Sequence, residues 1–66
     1  MTMSRSERQS RIRVLADQYM YITGESAYAG RERGARHYFF DGLVIGDEAA
    51  LQHMINLCQR AGVPTE

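Results

Sequence analysis

The side chains in this 66-residue chain with the most chemistry in them are two histidines, His37 and His53, and one cysteine, Cys58. A cysteine nucleophile needs a base within reach, and a metal site needs several ligands at suitable spacing. His37 falls in a stretch that reads as a strand, His53 on the polar side of a helical pattern, and Cys58 among apolar neighbours. Neither a Cys-His nucleophile nor a metal site is expected, and Cys58 reads as a small core residue. No phosphate-binding glycine loop occurs, because Gly24, Gly30 and Gly34 fit caps and turns. The methionines at positions 1, 3, 20 and 54 form no stripe, and Met54 reads as core filler. The expectation is a protein that is not an enzyme, with no catalytic residue, no cofactor and no metal.

The arginines are the other group able to bind something. All 8 basic residues are arginine, a side chain whose planar fork suits interface ion pairs and phosphate. Eight acidic residues bring the formal net charge to zero, but the charges are not evenly spread. Arg5, Arg8, Arg11 and Arg13 face only Glu7 at the start of the chain, and Arg31, Arg33 and Arg36 face Glu32 near its middle. From Asp41 onward the sign reverses, with Asp41, Asp47, Glu48 and Glu66 against Arg60. Two readings stay open: an ordinary solvated surface in an arginine-biased genome, or a basic end that meets a partner.

Elements must position these groups, and few are available. A chain of this size is expected to be one domain, 1–66, with flexible ends at 1–5 and 63–66. It buries only about 60% of the surface that its unfolded form exposes. A lone cysteine cannot close an internal disulfide, no secretory leader pattern opens the sequence, and no apolar run approaches the ~18 residues of a membrane span. The expectation is a soluble protein of a reducing cytosol, with no membrane partner.

Overlapping Ser-x-x-Glu/Gln patterns, Ser4 to Glu7 and Ser6 to Gln9, predict a helix beginning near residue 5 or 6. Ile12, Leu15, Ala16, Tyr19 and Ile22 follow one helical face, and Gly24 sits where a left-handed cap belongs, which gives a helix over 6–22. Arg5 and Arg8 fall on the extension of that face. Val14 and Tyr21, a heptad apart, point away from it, as scattered surface or as a candidate subunit contact.

Beyond Gly24, the segments 26–31 and 35–40 flank Glu32-Arg33-Gly34 and read as a hairpin, with His37 and Phe39 on one face and Tyr38 and Phe40 on the other. A rival hairpin turns at Asp41-Gly42 and pairs Tyr38–Phe40 with Leu43–Ile45; it ranks second, because Val44-Ile45-Gly46 resembles the approach to a helix. The last helix runs from an Asp47 N-cap to Gly62, with Pro64 beyond. Ala50, Leu51, Met54, Ile55, Leu57, Cys58 and Ala61 form its apolar arc. The fold class is therefore α+β, in the order helix, β-hairpin, helix, with two antiparallel helices packed together and against a two-stranded hairpin.

A helix ending in Thr23-Gly24, a hairpin with a polar glycine turn at Arg31-Glu32-Arg33-Gly34, the aromatic strand Tyr38-Phe39-Phe40 and an amphipathic helix from Asp47 to Ala61 resemble, over residues 6–62, the gpW-like head-tail joining (head completion) proteins of tailed bacteriophages. The chain departs from that pattern in extra residues between Phe40 and Asp47 and in lacking a basic C-terminal tail. The resemblance implies a structural virion-assembly protein that forms a homo-oligomeric ring under the portal, helps retain packaged DNA and offers a docking surface to later connector or tail proteins. Its partners would be the portal protein and other connector proteins, with nonspecific contact to packaged DNA, and isolated chains could be monomeric. It would be found in the host cytoplasm during assembly and then in the virion. Arg5, Arg8, Arg31, Arg33 and Arg36 become the candidate partner or DNA contacts. The alternatives are a small phage-encoded regulator or inhibitor that binds a host protein, and a small DNA-binding module, against which the zero net charge counts.

Overall fold

The computed structural model describes residues 3–27, 37–40 and 42–65. Four elements follow in order: α1 (Arg5–Thr23), β1 (His37–Phe40), β2 (Leu43–Gly46) and α2 (Asp47–Ala61). The fold is a helix, a two-stranded antiparallel hairpin and a helix, with the helices packed together and against the hairpin.

Local chemistry sets the ends of α1. Of the two overlapping start signals, Ser4 prevails: its hydroxyl accepts from the Glu7 amide at 3.1 Å while the Glu7 carboxylate accepts from the Ser4 amide at 3.2 Å, a reciprocal capping box. The Ser4 hydroxyl and, next to it, the Ser4 amide both hydrogen-bond the Glu7 carboxyl and hold it below its ordinary pKa, because each favours the ionised form. At the other end Gly24 takes φ 77° and donates to the Met20 carbonyl, and the Thr23 hydroxyl donates to the Tyr19 carbonyl at 2.7 Å. Helix α2 closes in the same manner. Gly62, at φ 74°, donates to Gln59 and Val63 to Cys58, which caps two free carbonyls and folds Val63 back into the core.

The hairpin is the rival one. His37 pairs with Gly46, Tyr38 with Ile45, Phe39 with Val44 and Phe40 with Leu43, so the turn is the two-residue connection at 41–42. Gly42 supplies a φ of 85° there, a conformation that costs a side-chain-bearing residue about 1–2 kcal/mol. The expected turn at 32–34 and the strand residues 28–31, 35 and 36 lie outside the described residues; Ser26 and Ala27 are not in a strand. What looked like extra residues between Phe40 and Asp47 is β2. The error came from reading Val44-Ile45-Gly46 as a lead into α2, when its β-branched pair fits a strand that ends where the helix starts. The alternation assigned to β1 holds: Tyr38 and Phe40 are buried, His37 and Phe39 exposed.

One connected core results. Ile12, Leu15 and Ala16 of α1 meet Ala50, Met54 and Cys58 of α2, with Tyr38 and Phe40 from β1, Ala27 and Val63 completing the buried set among the described residues. Ala50, Met54 and Cys58 recur every four residues, the row that faces a neighbouring helix. Leu51, Ile55, Leu57 and Tyr19 are partly buried at its margin, whereas Ala61 and Ile22, expected on apolar faces, are exposed.

The helices do not run antiparallel as expected. Asp47, the first residue of α2, reaches Arg5 and Arg8 in the first turn of α1, and Cys58, eleven residues on, places its Sγ 3.9 Å from the Leu15 carbonyl. Both helices therefore advance in the same sense. It is the end of the chain that runs back. Val63–Thr65, expected within a flexible end, lies along α1, with Gln18 Nε2 donating to the Pro64 carbonyl at 3.2 Å and Arg11 Nη2 donating to the Thr65 carbonyl.

Two consequences can be measured. Substituting Gly42→Ala should lower stability by about 1–2 kcal/mol in chemical denaturation, because the turn needs the left-handed region. The capping box makes a statement about pH. With its folded pKa depressed, Glu7 contributes stability that is present above the ordinary carboxylate range and is lost as pH falls through the folded value. Thermal melts between pH 7 and 3 should show a smaller acid-induced decline for Glu7→Gln than for the parent chain.

Candidate functional site

The first group of expected contact residues is Arg5 and Arg8, and the fold ties both to an internal acid, Arg8 largely buried and Arg5 half exposed. They sit at the start of α1 on the extension of its core face, one turn apart, and α2 brings Asp47 between them. Arg5 Nε lies 3.1 Å and Arg8 Nη2 3.2 Å from the same oxygen, Asp47 Oδ2. Arg8 Nη1 also donates to the Met3 carbonyl at 3.4 Å. The Asp47 side chain is only 8% exposed, that of Arg8 19% and that of Arg5 42%.

Asp47 was expected to be the N-cap of α2. It is instead the first helical residue, because Gly46 at the end of β2 occupies the cap position with extended backbone and no side-chain bond. Its carboxylate still sits at the positive end of the helix, but it turns away from its own amides toward two arginines. Its Oδ1 and the Arg8 Nε are buried without a hydrogen-bond partner among the described residues. The cluster is thus held by charge more than by complete hydrogen bonding: removing Asp47 leaves the largely buried Arg8 without its counter-charge, whereas removing Arg8 leaves Asp47 paired with Arg5 alone.

The remaining expected contacts divide cleanly. Arg31, Arg33 and Arg36 lie outside the described residues. Val14 is 53% exposed and Tyr21 90% exposed, both on the face of α1 turned from the core, so the wheel placed them correctly; no partner chain is present to test a subunit contact.

The catalytic candidates are not brought together. His37 lies beside Arg5, Arg8 and Asp47 in one cleft, and His53 in another with Tyr19, Phe40, Leu57 and Arg60. His53 meets Phe40 edge-on, its ring centroid 4.7 Å away, which explains how a residue from the polar side of α2 comes to be half buried. Cys58 lines neither cleft; burial pushes its thiol pKa up, only partly opposed by Arg11. Among the described residues no group of three or more His, Cys, Asp or Glu is placed to hold a metal ion, and no helix is long and apolar enough to cross a membrane.

Two features escaped the sequence reading. Asp47 was seen only as a cap, although the arginines on the core side of α1 were a signal that an acid must meet them. The second is an exposed apolar surface on the hairpin. Phe39 and Val44, cross-strand partners, point outward at 45% and 55% exposure, with Leu43 at 54% beside the turn. The Asp41-Gly42 turn fixes that pairing, and reading it first would have put Phe39 and Val44 on one face.

The ion cluster makes a sharp energetic prediction. Asp47→Ala should cost about 3–5 kcal/mol, the usual effect of breaking a buried pair from one side, and so leave little folded protein at room temperature. Arg5→Ala, at a half-exposed position, should cost at most about 1 kcal/mol. An Arg8→Met, Asp47→Leu double variant should recover most of what Asp47→Ala loses, as read by urea midpoints. Separately, Cys58 should resist a soluble thiol reagent until the chain unfolds.

No protein-family model matches the chain, and neither does any curated protein or solved structure.

Proposed function

We propose that this chain is a structural assembly protein of the head-tail joining kind, which docks as a small helix, hairpin, helix unit on a portal-type ring and there helps hold packaged DNA and present a surface to the next connector. The observation that carries the reading is the amount of large apolar surface left outside so small a core. Val14, Met20 and Tyr21 on α1 and Phe39, Leu43 and Val44 on the hairpin are all exposed, while the core formed by the described residues holds ten apolar side chains. Exposed apolar pairs such as Phe39 with Val44, on one face of the hairpin, are the kind of surface that docking sites use. The order of elements supports the same reading, as a layout and no more, because a fold hosts many functions.

The structure changes how such a protein would use its charges. Arg5 and Arg8 stabilise the fold through Asp47, so the burden of any phosphate or acidic-partner contact falls on Arg13, which is exposed, and on Arg31, Arg33 and Arg36. The DNA-binding alternative loses two of its arginines for the same reason. Docking would instead be led by apolar contact, with arginine adding orientation.

Cosedimentation with portal rings, or with DNA-filled tailless heads, from the virus that encodes the chain is the direct test. Stoichiometric binding is expected, and pairs of exposed substitutions that leave the core alone, Phe39→Ser with Val44→Ser or Val14→Ser with Tyr21→Ser, should weaken it at least tenfold for the docking face. Because those side chains are exposed, thermal stability should change little. Absence of binding to either particle would overturn the connector reading and leave a regulator of a host protein as the better account of the same apolar surface.

A further inference from the structure

We draw no further inference here: the strongest candidate, the exposed outer face of the hairpin formed by Phe39 and Val44, belongs to the docking surface already proposed, and nothing in the structure shows what else would cover it.

Discussion

A single carboxylate ties the two ends of this fold together. Asp47 stands at the junction of β2 and α2, and its contact with Arg5 and Arg8 brings that junction to the first turn of α1, forty residues earlier in the chain. The position of α2 follows from it. Once the start of α2 is fixed there, the four-residue row of Ala50, Met54 and Cys58 falls against Ile12, Leu15 and Ala16, and the hairpin that leads into α2 must lie over the remaining side of the same core. A cluster with two buried atoms unpaired is a costly way to gain stability, and an apolar contact of equal volume could serve as well. What charge adds is direction: two arginines at one end of α1 admit an acidic helix start and disfavour a basic helix end such as the last turn of α2, which carries Arg60. This accounts for the shared sense of the helices.

The core that results is small and its margins are open. Among the described residues ten buried apolar side chains must hold a chain whose conformational entropy opposes folding throughout, and a single core of this size rarely supplies more than about 3–5 kcal/mol. Every local device therefore matters more than it would in a larger protein. The capping box at Ser4, the left-handed glycines at 24, 42 and 62, and the return of Val63–Thr65 along α1 each fix backbone that a larger core could leave loose. Apolar side chains that the core cannot reach remain outside. On α1 the last turn carries Met20, Tyr21 and Ile22, all exposed, since those residues lie beyond or away from the surface that α2 covers.

Charge and apolarity thus exchange the parts that the bare sequence suggests for them. The N-terminal arginines look like a basic end held out to a partner, yet two of the four are drawn into the fold by Asp47 and a third, Arg11, donates to the chain end. The hairpin looks like a polar, arginine-tipped loop, yet the described hairpin is aromatic and aliphatic, turned by Gly42. Long-range pairing made both changes, and neither could be weighed without knowing which segments are neighbours.

The sequence by itself determined the helices nearly to the residue. Helix α2 was legible as Asp47–Ala61, and α1 differs from its expected span only at its ends. Helix limits depend on hydrogen bonds between residues three to five apart, and side chains such as Ser4 and Glu7, or a glycine at 24 or 62, carry that information locally. The periodicity of α2 named its buried row, and the alternation of β1 named its buried face, because both repeats are set by backbone geometry. Only the tertiary structure shows that Tyr38–Phe40 pair with Leu43–Ile45, in which direction α2 passes α1, and that Arg5 and Arg8 meet an internal acid. Each of these compares contacts between residues far apart in the chain. Local patterns leave such alternatives nearly equal in energy, and only the packed core and the Asp47 cluster separate them.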